Sequence, residues 1–524
     1  MKTLPKYTPK SHQRSTLFST ASIITALSVA ERGLGFLYRI VLSRFIGAEG
    51  VGLYQVSLSL FAVFLTFGTG GIPISVSRLV SKANAKNAPK EKRAAVGAGV
   101  ILSLCFTLPF VCILLPFAQK LPFLFSDNRC VSVFKILLLG LCFSSVYAVI
   151  RGAFWGDKNF LTPSLLEIAE ETVMVISGVL LLRNISDVLD GAQKAAWAVV
   201  ISYAFSFTAS LVAYFCSGGK ISTPKNQLKP LFNATLPITS VRASATLINA
   251  AVSVLLPVML IRSGMNESEA LRLFGIVTGM AMPVLFIPST VIGSIALVLV
   301  PELSEDFYKK NYQRLYQHIT RGIYAALLIA VFLSPFFFVL GDDLGAIAFY
   351  QPLAGEYIKQ GCLLLLPMSL SMLSTSILNA LGFERNTFVY YFVGAAGMFL
   401  CILLLSAVLG AFTYIFGLFI SFALATICNF ALLYKKCPKL FSFFFKNAAK
   451  KVFTALCLLL PVSLFGSLAE MFFKSVFGGI VSAVCTGVCM LIITFFLYAL
   501  FRLIPQKKLL KVKSKKKGMQ MGKI

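Results

Sequence analysis

Charged residues interrupt a long apolar segment near the start of the chain, in the stretch ERGLGFLYRIVLSRFIG (31–47). Arg32 and Arg39 are seven residues apart, nearly two helical turns, so a helix presents both on one face. A guanidinium keeps its charge and offers a forked pair of donors that suits a phosphate or pyrophosphate. An ionisable group at bilayer depth costs about 2.5–3.5 kcal/mol unless it is paired or faces water. We therefore expect Arg32 and Arg39 to face a water-filled cavity and bind an anionic ligand there.

Two further arginines are candidates for the same ligand. Arg44 lies near the outward end of the first helix, and Arg242 stands alone in a later apolar segment. If Arg242 faces the cavity, the anion is held from both halves of the chain. The alternative for each is a side chain that extends to the headgroup region, where its charge is solvated.

Carboxylates inside the membrane indicate a coupling site or a charge network. Glu31 precedes Arg32, and the segment SLLEIAEETVMVI (164–176) places Glu167 and Glu171 on one helix face. These three carboxylates could pair with the arginines in a switchable network, carry a proton, or serve only as structural partners.

Glycine and proline interrupt two helices at equivalent places in the two halves of the chain. Gly70, Gly71 and Pro73 fall in the second apolar segment, and Pro283 and Pro288 fall in the eighth. We expect these residues to act as hinges. Ordinary helix packing at small residues explains the glycines equally well.

The sequence contains no catalytic or metal-binding constellation. Its only histidines are His12 and His318, both in segments predicted to be cytoplasmic, and its 12 cysteines are scattered without a CxxC pair. No Walker A motif is present. We expect no enzymatic activity, no metal and no cofactor, and the energy source is left open between an ion gradient and the membrane potential.

The composition is that of a membrane protein. Of 524 residues, 57% are hydrophobic and 13% are charged, with a mean hydropathy of +0.84. A soluble chain of this size cannot bury so much apolar surface, and the unbroken apolar runs exclude an alternating β-barrel. The net charge of +28 comes mainly from short loops between the apolar runs. We therefore predict an all-α polytopic membrane protein whose basic loops meet anionic lipids, with no nucleic-acid partner.

About fourteen apolar segments are long enough to span a bilayer as helices. They lie near residues 17–43, 51–76, 94–117, 132–152, 161–183, 193–215, 234–262, 273–300, 321–341, 358–381, 387–409, 411–434, 451–470 and 477–502. With the N-terminus in the cytoplasm, the basic residues fall on the cytoplasmic side, while the outward loops 47–52, 184–190 and 341–345 are acidic or neutral. Lys120 and Arg129, in one outward loop, are exceptions. We expect both termini to be cytoplasmic.

An internal repeat divides the spans into two sets. Segments 41–82 and 258–306 follow a similar plan, and segment 151–166 is echoed by 378–393. The offset of about 220 residues fits two parallel six-helix bundles around a central cavity, with two extra C-terminal helices. The predicted organisation is a basic cytoplasmic N-terminus at 1–16, a first bundle at 17–215, a basic cytoplasmic linker at 216–233, a second bundle at 234–434, two additional helices at 435–503 and a polybasic cytoplasmic tail at 504–524.

Three stretches carry a family resemblance: ERGLGFLYRIVLSRFIGAEGVGLYQ (31–55), GGIPISVSRLVSKA (70–83) and RGAFWGDKNFLTPS (151–164). With the fourteen-span layout, they resemble the polysaccharide-flippase branch of the multidrug/oligosaccharidyl-lipid/polysaccharide (MOP) exporter superfamily, and within it the stage V sporulation protein B group. The resemblance covers nearly the whole chain. It implies a bacterial inner-membrane flippase for undecaprenyl-linked sugar precursors, connected with peptidoglycan or spore-cortex synthesis.

The resemblance also bears on the arginines of the first helix. The similar lipid II flippases have an R-x-x-G-F-x-R-like pattern there, whose arginines the resemblance assigns to the pyrophosphate of the lipid. Arg32 falls on the first arginine of this pattern. Tyr38 occupies the position of the second, and Arg39 follows one residue later.

The leading hypothesis is a flippase that translocates a lipid-linked anionic saccharide by alternating access. One alternative is a cation-coupled small-molecule exporter of the same superfamily, with Glu31 or Glu167 as the coupling carboxylate. The other is a non-transporting membrane scaffold for cell-wall synthesis, and cell-wall synthesis proteins are candidate partners. A cavity rich in arginine favours the flippase, whereas an acidic or aromatic cavity favours the exporter.

Overall fold

The computed structural model describes residues 11–117 and 125–503, which are almost entirely helical and contain no β-strand. This confirms the predicted all-α architecture. Lys120 and the polybasic tail at 504–524 lie outside the described residues, as do the first ten residues of the predicted N-terminal segment.

Twenty α-helices follow one another in the described part of the chain, with short π- or 3-10-helical turns between some of them. They are α1 (Ser11–Thr69), α2 (Ile72–Ala85), α3 (Pro89–Phe117), α4 (Arg129–Leu139), α5 (Leu141–Gly156), α6 (Leu161–Leu181), α7 (Val188–Cys216), α8 (Leu228–Arg262), α9 (Glu267–Gly275), α10 (Met282–Leu285), α11 (Ile287–Tyr308), α12 (Tyr312–Phe349), α13 (Pro352–Gln360), α14 (Leu365–Ala380), α15 (Glu384–Leu409), α16 (Thr413–Lys436), α17 (Pro438–Phe444), α18 (Lys450–Cys457), α19 (Leu459–Val476) and α20 (Gly479–Leu500).

The helices are long and apolar enough for a polytopic membrane protein. Within the described residues, eleven helical stretches meet the length and hydropathy of a membrane span, or twelve if α4 and α5, which meet at a bend of 41°, form one span. Two of the eleven, Ala26–Ala85 and Glu384–Lys436, have 60 and 53 residues, whereas about 20 suffice for one crossing. The count of fourteen stays a prediction.

Gly47 divides α1 into two antiparallel arms, residues 11–46 and residues 48–69. Its φ of 66° and ψ of −177° belong to a region that glycine adopts at little cost. Residues 35 and 58 line the same chamber, although a straight helix would separate them by about 35 Å. The chain must therefore reverse direction at Gly47, which begins the predicted outward turn at 47–52.

The helices form two groups with a cavity between them. Helices α1 to α7 pack mainly on one another, and α11, α12, α14 and α16 form a second group. Helix α8 contacts α1, α2 and α3 on one side and α15 on the other, so it joins the two groups. Helices α19 and α20 pack against α12 and therefore sit beside the second group.

The two halves touch backbone to backbone at the end of the molecule that carries Gly47. A Cβ atom at Gly52 would collide with the carbonyl oxygen of Leu271, and one at Gly275 would collide with that of Ala48. Glycine alone allows this approach, because any larger residue would force the helices apart. This end of the cavity is consequently closed, and in the predicted orientation it is the outward end.

Candidate functional site

A cavity of about 860 Å³ lies between the two halves. Both arms of α1 and helix α6 form its first wall, which we call the first-half wall. Helices α8, α10, α11, α15 and α16, together with the π-helical turn before α10, form the opposite, second-half wall. The size is within the usual range for ligand pockets, about 300–1,000 Å³.

Arg32 and Arg39 both line this cavity, on one face of the first arm of α1. In the described part of the chain, neither guanidinium has an acidic partner within 4.0 Å or a hydrogen bond to protein. Two charged donors therefore face the open space without a protein partner, as a site for an anion requires.

Two carboxylates share the cavity with the arginines. Glu31 and Glu171 line it, and Oε2 of Glu171 is buried without a hydrogen-bond partner. Gly35 lies beside this carboxylate, since a Cβ atom there would be in ordinary van der Waals contact with Oε2 at 3.7 Å. Arginine does not lose its proton, whereas a carboxylate can gain one. Two arginines and two glutamates thus give the wall a charge between 0 and +2, never a negative one.

Glu167, one turn before Glu171, has a different environment. Its carboxylate accepts a hydrogen bond from Nη1 of Arg151 on α5 at 2.9 Å. The same guanidinium lies over the rings of Tyr147 and Trp155, at 5.6 and 5.2 Å from their centroids. Glu167 is therefore paired with Arg151 inside the first half and does not line the cavity.

Arg44 lies outside the cavity and connects the two halves at their closed end. Its Nε donates to the carbonyl oxygen of Ala348 at 2.9 Å, and its Nη2 donates to that of Ile347 at 2.8 Å. The guanidinium also lies 4.5 Å from the ring centroid of Tyr350. The last carbonyls of a helix lack intrahelical partners and attract cations, so Arg44 caps α12 from the first half.

Arg242 is exposed on α8 and does not line the cavity. It precedes Thr246 by one turn on the helix face that continues with Asn249, and both of those residues do line it. The structure thus brings two of the four candidate arginines into the cavity and leaves two outside.

Helix breaks occur at both predicted places. Gly70 and Gly71 form a bend between α1 and α2, and Pro73 lies in the first turn of α2. Pro283 and Pro288 lie in the first turns of α10 and α11, and Pro283 also lines the cavity. The helix breaks are therefore observed at both predicted places. Their role as hinges stays a prediction.

The uncharged lining was not predicted from the sequence. It includes Gln55 and Ser59 from α1 and Asn249 and Ser253 from α8, and the Ser253 hydroxyl donates to Oγ of Ser59 at 3.0 Å. An amide in an apolar run, such as Gln55, is a signal that could have been used. No cluster of three metal-ligating side chains exists among residues 11–117 and 125–503.

Comparisons with known proteins agree with this architecture. The profile of the family described as polysaccharide biosynthesis protein matches residues 17–307. Stage V sporulation protein B of Bacillus subtilis (strain 168) is 25% identical over 359 residues, covering 66% of this chain and 69% of that protein. Lipid II flippase MurJ of the same strain is 23% identical over 343 residues, covering 60% of this chain and 63% of that protein.

A solved structure supports the fold over a longer range. The structure described as "Lipid II flippase MurJ, inward closed conformation" superposes with a TM-score of 0.68 at 13% sequence identity. The match covers 91% of this chain and 99% of that structure. The chain therefore has the fold of a helical membrane transporter.

Proposed function

This chain belongs to the polysaccharide biosynthesis protein family, and from that premise we propose that it is a flippase for a lipid-linked saccharide. Two of its relatives are named for lipid II flipping and for stage V of sporulation. We propose that the substrate is an undecaprenyl pyrophosphate carrying a sugar precursor of cell-wall or spore-cortex peptidoglycan. It moves outward across the bacterial cell membrane by alternating access, and both termini of the chain are cytoplasmic.

One observation carries this proposal: the unpaired guanidiniums of Arg32 and Arg39 line a cavity between the two halves. A pyrophosphate presents several acceptor oxygens and negative charge, and two arginine forks match both. The carboxylates of the same wall cannot make its charge negative, and whenever one of them is protonated the wall is positive and favours an anion over a cation. Arg242, one turn beyond the lining of α8, would attract the headgroup toward the cavity.

The membrane potential is a sufficient source of energy for this direction of transport. Moving one elementary charge through 100 mV is worth about 2.3 kcal/mol. An anionic headgroup that leaves a negative cytoplasm moves down this gradient. Protons bound to Glu31 or Glu171 and carried outward with the substrate would cancel part of the gain. We therefore assign these two carboxylates to the charge network that tunes the arginines, with the potential as driver.

Reconstitution tests the proposal. Proteoliposomes would receive fluorescent undecaprenyl pyrophosphate carrying N-acetylglucosamine, and outward flipping would be followed under an imposed potential. Arg32→Ala should lower the rate at least about tenfold, because a charge-assisted contact to phosphate is lost. Arg183→Ala is the matched control, since this exposed arginine at the end of α6 lies away from the cavity. Equal rates for wild type and Arg32→Ala, both above protein-free vesicles, would contradict the proposed role.

One observation favours the exporter alternative. Besides Glu31 and Glu171, the cavity is lined by the rings of Phe286, Tyr391 and Phe422, and aromatic faces attract organic cations. The same vesicles can be tested with ethidium. A flippase leaves ethidium transport at the level of protein-free vesicles. Ethidium transport that requires Glu171 would establish the exporter.

A further inference from the structure

A second, smaller chamber adjoins the cavity on the side of the first half. Its volume is about 180 Å³, and it lies between the two arms of α1 and helices α6 and α7, with Gly279 of the π-helical turn before α10 as its single lining residue from the second half. The chamber and the cavity share five lining residues, Gly35, Arg39, Gln55, Leu58 and Glu171. A group bound in the cavity beside Arg39 is therefore next to the mouth of this chamber.

Six polar side chains face the chamber, and none of them has a hydrogen bond or ion pair to any described residue. They are Tyr38, Arg39, Tyr54, Gln55, Glu171 and Tyr203. Tyr38 is only 2% exposed, and its hydroxyl is buried without a partner, as is Oε2 of Glu171. Buried polar groups are nearly always hydrogen-bonded in folded proteins. So many unpaired groups around one space indicate a polar ligand.

The charges of the chamber select the class of ligand. In the chamber Arg39 and Glu171 stand without Arg32, so one positive and one negative group offset each other and favour neither an anion nor a cation. A neutral group with several hydroxyls satisfies both, since a hydroxyl donates to the carboxylate and accepts from the guanidinium. The three tyrosines add phenolic hydroxyls and apolar ring faces. The chamber, at about 180 Å³, is much smaller than the cavity of about 860 Å³ and suits a small group such as one sugar ring.

We propose that this chamber, hereafter the sugar chamber, binds the monosaccharide that is bonded directly to the pyrophosphate. The inference rests on the proposed function, which places the pyrophosphate at Arg32 and Arg39. Arg39 lines both spaces, so a sugar one bond away from the phosphate reaches Tyr38, Tyr54 and Tyr203. The first half of the protein then binds both the pyrophosphate and the first sugar of the substrate.

Two lipid probes distinguish binding of the sugar from binding of the pyrophosphate. The probes are undecaprenyl pyrophosphate and the same lipid carrying one N-acetylglucosamine, with affinities measured by native mass spectrometry on the purified full chain. We expect wild type to bind the sugar-bearing lipid more tightly. Tyr38→Phe and Tyr203→Phe should each lower this preference about fivefold, the value of one hydrogen bond, and leave the affinity for the sugar-free lipid unchanged.

Tyr147→Phe is the matched control. Tyr147 is buried in the same half with an unpartnered hydroxyl, but it does not line the sugar chamber. The control should change neither affinity. The proposal that the sugar chamber binds a sugar is overturned if wild type shows no preference for the sugar-bearing lipid. It is also overturned if Tyr38→Phe and Tyr203→Phe leave that preference intact or change the affinities for both lipids equally.

Arg32→Ala separates this inference from the proposed function in the same assay. It should weaken the binding of both lipids, because both carry the pyrophosphate. If it weakens neither, the proposed function fails. If it weakens both while Tyr203→Phe leaves the preference intact, only the sugar chamber fails.

Discussion

The two walls of the cavity differ in charge. The first-half wall contributes Glu31, Arg32, Arg39 and Glu171, whereas the residues of the second-half wall, all within the described chain, include no Asp, Glu, Lys or Arg. Hydroxyl, amide, aliphatic and aromatic side chains form that second surface. An anionic headgroup can therefore stay bound to the first half while the second half moves. In the proposed alternating-access cycle, movement of the second half would break no contact between the anion and a charged side chain of that half.

The double variant Arg32→Ala/Arg39→Ala tests the charged wall and has the largest expected effect. Each charge-assisted contact is worth about 1.5–3 kcal/mol, so flipping should fall about 100-fold or more. The proteoliposome assay measures it. The control is the double variant Ser289→Ala/Thr290→Val on the second-half wall. It should lower the flipping rate less than about threefold. Similar losses for the two double variants would abolish the distinction between the walls.

Asn249→Glu places a carboxylate on the uncharged wall. Repulsion between this carboxylate and the pyrophosphate should weaken binding of undecaprenyl pyrophosphate about tenfold. Asn249→Gln has a similar size without the charge and should remain close to wild type. A carboxylate variant that binds as tightly as the glutamine variant would mean that the anion does not enter this cavity.

Glu171→Gln should change the pH dependence of binding more than its strength. As the pH rises, the carboxylates of the wall lose protons and the wall loses positive charge, so wild type should bind undecaprenyl pyrophosphate carrying N-acetylglucosamine, whose phosphates stay ionised throughout, less tightly. A neutral amide at position 171 removes part of this dependence, so the variant should retain more affinity at high pH. The pH dependence is measured by determining the affinity of wild type and variant for the lipid from about pH 5 to about pH 9. Parallel curves for wild type and variant would exclude Glu171 from the network.

Arg44→Ala has the smallest expected effect, because Arg44 joins the two halves at the closed end and lies outside the cavity. The loss of two hydrogen bonds to α12 should speed amide hydrogen exchange at 345–350 about three- to tenfold. Arg183→Ala should leave that exchange unchanged. Unchanged exchange in Arg44→Ala itself would show that Arg44 does not hold the closed end.

The sequence predicted what depends on local spacing. Arg32 and Arg39 lie on one face because seven residues make nearly two turns, and both line the cavity. The reversal at Gly47 and the breaks near Gly70 and Pro283 also follow from local signals. The membrane class followed from composition alone.

Contacts between helices that are distant in the sequence could not be predicted from local spacing. Glu167 and Glu171 share a face, yet Arg151 on α5 binds only the first, and the second lines the cavity. Arg44 binds carbonyls about 300 residues away, at a helix end whose position the sequence does not reveal. The tyrosines of the sugar chamber resemble any aromatic residue in an apolar helix, so nothing distinguished them before the arms of α1 were placed beside α6 and α7.

A structure determined with undecaprenyl pyrophosphate bound would show whether the first-half wall holds the anion. Both phosphates should lie on the first-half wall, with oxygens about 3 Å from the guanidinium nitrogens of Arg32 and Arg39. Phosphates bound against the second-half wall, or outside the cavity with Arg32 and Arg39 still unoccupied, would contradict the account.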